Sequence, residues 1–139
     1  MNIRKKGFTL IELMIVLGIV AILVTLAAPS FLDAVRKSRR ADAMDAILNI
    51  HLLQERWRVN NTTYGSLADL GIATSPMPSA DGHYNLTIGN TGATTYTITA
   101  DALGGQASDL CDDFTLVFNA GVITKSVTDP ALAALCWKR

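Results

Sequence analysis

One carboxylate, Glu12, stands inside the apolar run "FTLIELMIVLGIVAILVTLAA" of residues 8–28. A charge held at the centre of a bilayer costs about 2.5–3.5 kcal/mol on insertion scales, so an acid kept in a spanning segment calls for a partner. The remaining candidates for chemistry are few. Cys111 and Cys136 are the only thiols and both fall in the last third, which suits one disulfide in an exported protein, two buried free thiols being the alternative. His51 and His83 have no Cys, His or carboxylate at ligand spacing; both are expected to be structural, with no metal site. Asp112 and Asp113 are adjacent, and neighbours on a strand point to opposite faces, so they are expected to solvate a loop rather than hold a cation. There is no Ser, His and acid set and no phosphate-cradling glycine loop, which argues against an enzyme and against a cofactor.

The elements that position these residues begin with the apolar run itself. Its 21 residues span about 31 Å as a helix, close to the hydrocarbon thickness of a membrane. Arg4, Lys5 and Lys6 precede it and predict a cytoplasmic N-terminus, so that the following domain is exported. An ordinary secretory signal cut near Ser30 is the plain alternative. Glu12 and a helical pattern that continues past Pro29 stand against it.

After Pro29, which removes one helical donor, Ala43, Ile47, Ile50, Leu53 and Trp57 recur at steps of three and four and predict a stripe that packs on a sheet. One helix of about 50 residues and about 75 Å is implied. The cluster "RKSRR" within it is expected to lie on a solvated, salt-bridged face. "NNTTYGSLADLGIATSPMPSADG" predicts a loop containing one short helix, capped by Ser66 and Asp69 and ended by Gly71. "HYNLTI" with "TTYTITADA", and "DFTLVFN" with "VITKS", predict two hairpins. The expected fold is therefore α+β: a long N-terminal helix against a four-stranded antiparallel sheet. A bond between Cys111 and Cys136 would close the C-terminal region, with Trp137 beside it as a packing residue.

Charge is uneven along the chain. Arg36, Lys37, Arg39, Arg40, Arg56 and Arg58 come early, whereas residues 60–139 hold seven Asp against Lys125, Lys138 and Arg139. An acidic half is a poor match for nucleic acid, whose affinity comes from Lys and Arg on phosphates.

The stretch "RKKGFTLIELMIVLGIVAILVTLAAPSF" closely resembles the class III signal and N-terminal helix of type IV pilins. The resemblance implies a leader of residues 1–7, a membrane and filament-core helix half of residues 8–29, and a globular domain of residues 30–139. It implies cleavage by a prepilin peptidase between Gly7 and Phe8, N-methylation of Phe8, and pairing of Glu12 with the new N-terminal ammonium of a neighbouring subunit. An intrachain pair of Phe8 with Glu12, four apart on one face, is the alternative. The implied partners are other pilins, major and minor, the peptidase, the inner-membrane assembly machinery and the inner membrane before assembly. The implied end point is an extracellular bacterial pilus. For a bacterial exporter the sequons at Asn61 and Asn85 imply no glycan.

The segments "RKSRRADAMDAILNIHLLQERW", "NNTTYGSLADLGI", "YTITADALGGQASDLCDDFTLVF" and the final "CW" are similar to minor pilins of the PilE and ComP type. That similarity implies a structural subunit supporting assembly, adhesion or twitching motility. DNA reception, a major pilin and a type II secretion pseudopilin are the alternatives; the acidic surroundings of the cysteines disfavour DNA.

Overall fold

A computed structural model describes residues 7–138, so Arg4, Lys5, Lys6 and Arg139 lie outside the described residues. The chain divides into two compact units, Met1–Val35 and Arg36–Arg139. Helix α1 (Leu10–Arg58, 49 residues) contributes to both, close to the expected length.

In the first unit α1 starts from a cap that its sequence supplies. Thr9 Oγ1 accepts the Glu12 backbone N–H at 3.3 Å, and the Thr9 carbonyl accepts the Leu13 N–H at 3.2 Å. Thr9 is thus the N-cap residue and Glu12 the third helical position, the spacing of a capping box. Beyond it every large apolar side chain up to Leu26 is exposed, from 48% at Val20 to 86% at Phe8 for the segment as a whole. On length and composition no single helix among the described residues qualifies as a membrane span; Leu10–Leu26 and Ser30–Arg58 qualify only as a pair.

In the second unit α1 packs on a five-stranded antiparallel sheet in sequence order: β1 (Met77–Pro78), β2 (Tyr84–Gly89), β3 (Thr95–Ala102), β4 (Phe114–Asn119) and β5 (Val122–Val127). The sheet has one strand more than the four expected. Met77 and Pro78 pair with Leu86 and Asn85, adding an edge strand too short to show alternation. A proline is tolerated there because an edge strand leaves one side of its backbone unpaired.

Alternation sets the core. Tyr84 and Leu86, Tyr96, Ile98 and Ala100, and Phe114 and Leu116 are fully buried on one sheet face, against Ala43, Ile47 and Ile50 of α1. Leu53 and Trp57, the rest of the predicted stripe, are half-buried, and a residue outside that stripe, Gln54, is fully buried. Its amide spans the loop: Nε2 donates to the Gly65 carbonyl at 2.6 Å and Oε1 accepts the Gly65 N–H at 2.9 Å. Position 65 admits only glycine in this arrangement, since a Cβ would lie 2.9 Å from Asp69 Cβ and 3.1 Å from the Trp57 indole nitrogen.

The predicted short helix at "SLADL" is a single turn. Both caps are present: Ser66 Oγ and N–H donate to Asp69 Oδ2 at 2.7 and 2.8 Å, and Gly71 has a φ of +82°. Ile72 N–H then bonds the Leu67 carbonyl at 2.9 Å and Gly71 N–H the Ala68 carbonyl at 3.0 Å. Start and stop signals lie so close together that the helix ends after one turn. The β4–β5 turn has two residues, Ala120 and Gly121, both at positive φ (47° and 87°). This is the hairpin geometry whose twist matches the flanking strands.

Candidate functional site

Two places in the chain carry the residues singled out by their chemistry. The first is the start of α1. Gly7 has no atom within 4 Å of where a Cβ would stand, and Phe8 beside it is 86% exposed, so the Gly7–Phe8 bond is sterically open on the Gly7 side. Glu12 is exposed in the first turn of α1, where a carboxylate meets the positive end of the helix dipole. Its carboxylate has no cationic partner among the described residues. The Thr9 cap, which holds its backbone, was the signal in "TLIE" that the apolar pattern obscured.

The second place is the C-terminal region. A disulfide joins Cys111 and Cys136, with Cα atoms 5.8 Å apart across 25 residues. It closes the end of β4's entry loop onto α2 (Ala133–Cys136). Trp137 follows and packs as expected: its ring meets Phe114 edge-on at 5.4 Å, and its Nε1–H donates to the Ser126 carbonyl at 3.0 Å. The Lys125 ammonium lies over the same ring, 5.0 Å from its centroid.

Asp109, two residues before the disulfide, takes a two-pronged contact from Arg40 of α1: Nε to Oδ2 at 2.7 Å and Nη2 to Oδ1 at 2.8 Å. The two side chains are 11% and 4% exposed, so this member of "RKSRR" does not belong to the solvated face expected of the cluster. Burial alone would raise the Asp109 carboxyl. The Arg40 guanidinium reverses that, and with the Cys111 and Leu110 N–H groups holds it below the usual carboxylate range. One turn away Gln106, almost fully buried, donates to the Arg36 carbonyl at 3.1 Å. Beside it burial pushes the Tyr84 hydroxyl up to about 12.

Asp112 and Asp113 are structural acceptors rather than loop solvation. Asp113 Oδ1 accepts the Ala102 N–H at 2.7 Å, and Asp112, at a φ of +48°, accepts the Thr128 hydroxyl at 3.3 Å. Burial and then the Asp113 charge raise the nearby Asp101 carboxyl. Of the acids in this region Asp109 is paired with a cation within the fold, while Lys125 and Lys138 remain exposed.

The His51 side chain is packed into the fold. A His51 ring nitrogen bonds the Tyr96 hydroxyl, and its ring sits 6.2 Å from those of Tyr96 and Phe118. His83 precedes β2 rather than lying within a strand, and its backbone N–H donates to Asp42 at 3.3 Å. Among the described residues no three His, Cys, Asp or Glu side chains are grouped to hold a metal.

A sequence profile described as "Type IV minor pilin ComP, DNA uptake sequence receptor" matches residues 29–115, and one described as "Prokaryotic N-terminal methylation motif" matches residues 2–28. The chain is 35% identical over 107 residues to the "Type IV wide pilus major component PilA4" of Thermus thermophilus, covering 73% of this chain and 77% of that one. It is 39% identical over 72 residues to the "Type IV major pilin protein PilE1" of Neisseria gonorrhoeae, covering 47% of this chain and 44% of the relative. It is 39% identical over 88 residues to the "Fimbrial protein" of Neisseria meningitidis serogroup A, covering 58% and 52%. The match spans about half the length of these two Neisseria relatives.

Proposed function

The chain belongs to the type IV pilin family, and on that premise we propose that it is made as a membrane-inserted precursor, cut between Gly7 and Phe8 and built into the pilus as a minor subunit. A prepilin peptidase makes the cut and methylates Phe8, and the inner-membrane assembly machinery draws the subunit into the filament. The boundaries follow: leader 1–7, core helix half 8–29, globular domain 30–139. Its relatives are structural subunits, not enzymes.

The observation that carries this reading is the first half of α1. Its apolar side chains are exposed all round, from Phe8 to Leu26, with a single carboxylate at the front. A helix that is apolar on every side needs a surround, whether lipid or other helices. Once cleavage frees an ammonium on Phe8 of a neighbour, Glu12 gains a counter-charge inside that surround; either charge alone would be an uncompensated buried ion. The pair then acts as a register device, because a subunit one step out of place leaves both charges unsatisfied.

The experiment is quantitative mass spectrometry of sheared filaments, comparing wild type with Glu12→Ala. Wild type is expected to be scarce relative to the most abundant pilin and to begin with methylated Phe8. The variant is expected to be inserted and processed but poorly incorporated. Incorporation at the wild-type level would remove the pairing role, and a chain that dominates the filament would be a major subunit.

A second reading, reception of DNA, is favoured by one observation: the matching profile is described as that of a DNA uptake sequence receptor. The burial of Asp109 against Arg40 and the exposure of Lys125 and Lys138 agree with it. Its mark is duplex binding that weakens steeply with salt and is reduced by Lys125→Ala with Lys138→Ala. Binding unmoved by salt, or by that double substitution, removes those two lysines from the contact.

A further inference from the structure

Outside these regions, a cavity of about 360 Å³ opens between the last turn of α1 and the single helical turn at "SLADL". Small-molecule sites occupy about 300–1,000 Å³, so the space admits one small ligand. Its apolar lining is Leu53, Trp57 and Leu70, all half-buried, and its polar lining includes Arg56, Asn60 and Asp69, all exposed. The fold holds most of this frame in place. Gly65 packs on the nitrogen edge of the Trp57 indole, where a Cβ would stand 3.1 Å from Nε1. Asn61 Nδ2 donates to the Trp57 carbonyl at 2.8 Å. Ser66 donates twice to Asp69 Oδ2, at 2.7 and 2.8 Å, and Asp69 Oδ1 takes no hydrogen bond among the described residues. Arg58 is drawn elsewhere, to the Asn61 carbonyl and over the Tyr64 ring, so Arg56 supplies the positive charge of the lining.

The lining limits what enters. The Ser66 hydroxyl and N–H hold the Asp69 carboxyl below the usual carboxylate range, so it is ionised at neutral pH. One cation and one anion therefore line the same space, from different elements, and their charges cancel. An anion such as phosphate would meet Asp69 and an ammonium would meet Arg56, each a like-charge contact. A neutral ligand meets neither penalty. The same lining offers donors in the Arg56 guanidinium and the Asn60 amide, and acceptors in Asp69 Oδ1 and the Asn60 side-chain oxygen. Beside them Trp57 supplies an aromatic ring, whose negative face attracts weakly positive C–H groups.

We propose that this cavity binds a neutral pyranose sugar, its C–H face against Trp57 and its hydroxyls on Arg56, Asn60 and Asp69. A hydroxyl both donates and accepts, so neighbouring hydroxyls of one ring serve the guanidinium and the carboxylate together. A nucleobase is also flat and neutral, but in a nucleic acid it arrives with a phosphate that Asp69 repels. The cavity lies wholly within the Arg36–Arg139 unit, so the site needs neither the apolar half of α1 nor a neighbouring subunit, and it stands apart from the pilus-subunit reading. Built into a pilus, it gives the filament a hold on sugar-coated surfaces. With few contacts to a single ring, binding falls in the millimolar range.

The two tryptophans make the test internal to the chain. The ¹⁵N-labelled full chain, in a detergent without a sugar headgroup, is titrated with the methyl glycosides of glucose, galactose, mannose and N-acetylglucosamine while both indole N–H signals are followed. The Trp57 signal is expected to move saturably with at least one of them. The Trp137 signal, whose N–H is bonded to the Ser126 carbonyl at 3.0 Å, is expected to stay and to report that the fold is intact. Arg56→Ala and Asn60→Ala, both at exposed positions, are each expected to weaken that binding about three- to tenfold. No movement of Trp57 with any glycoside up to tens of millimolar overturns the site, as does equal movement of both indoles. Binding unchanged in both variants overturns the assigned contacts. Inorganic phosphate or adenosine moving Trp57 as far as the glycosides do overturns the choice of a neutral sugar.

Discussion

The two halves of α1 are continuous in backbone and opposite in circumstance. Phe8 to Leu26 turn every large apolar side chain outward, whereas Ala43, Ile47 and Ile50 are fully buried against the sheet. Each half also carries one charge that needs an answer. Arg40 finds it within the chain, a two-pronged contact to Asp109 at 2.7 and 2.8 Å. Glu12 has, among the described residues, the Thr9 cap at its backbone and no cation at its carboxylate. The difference teaches that one half of the helix is complete as a folded object, while the other leaves its apolar side chains exposed. Stability measurements should therefore respond to the first, and assembly measurements to the second.

The largest expected break comes from Arg40. Arg40→Gln leaves the Asp109 carboxylate buried without its cation, and the loss is expected to be about 3–5 kcal/mol of unfolding free energy in the full chain in detergent. The same pair has a pH signature. The folded pKa of Asp109 lies below its unfolded value. Its contribution is therefore fully present above the unfolded carboxylate value of about 3.9 and is lost as pH falls through the lower folded one. Denaturant titrations from pH 6 downward should show a drop in acid that Arg40→Gln largely removes.

Cys111→Ser is expected to cost about 3–4 kcal/mol, from the entropy of the 25-residue loop it opens. An unchanged melting midpoint would show that the sheet, not the bond, holds the tail. Ile47→Ala sharpens the comparison of halves directly: about 2–4 kcal/mol of destabilisation is expected from its fully buried site. Ile15→Ala, in the exposed half, should leave the same melt within about 0.5 kcal/mol. One modest effect runs the other way. Ala120 holds a φ of 47°, which asparagine or glycine adopts with less strain, so Ala120→Asn should stabilise by about 0.5–1 kcal/mol.

Elements with strong periodicity were legible in the sequence: α1, both hairpins and the helix stripe through Ile50 follow from spacing alone. What escaped was set by groups distant in sequence or by signals too short to repeat. β1 is two residues beside prolines, and the pairing with Leu86 and Asn85 that defines it is invisible locally. Gln54 looks like a surface residue until the loop at Gly65 closes over it. Arg40 looks like one of a basic cluster until a partner 69 residues away claims it. That last omission mattered most, because counting charges along the chain treated Asp109 as acid on display when it is neutralised inside the fold. At the candidate assembly site, by contrast, Glu12 was conspicuous from its type alone, and only its cap at Thr9 went unnoticed.

The disulfide also sets how the domain answers to force. The segment between Cys111 and Cys136 contains β4 and β5 whole. Pulled straight, those 25 residues would release about 85 Å of slack. With the bond in place that length is out of circuit: tension entering through α1 and leaving near the C-terminus passes from sulfur to sulfur, and the hairpin cannot pay out. A subunit so wired yields first in β1–β3 or along α1, and a filament containing it would stretch by shorter steps than the length of its chain suggests.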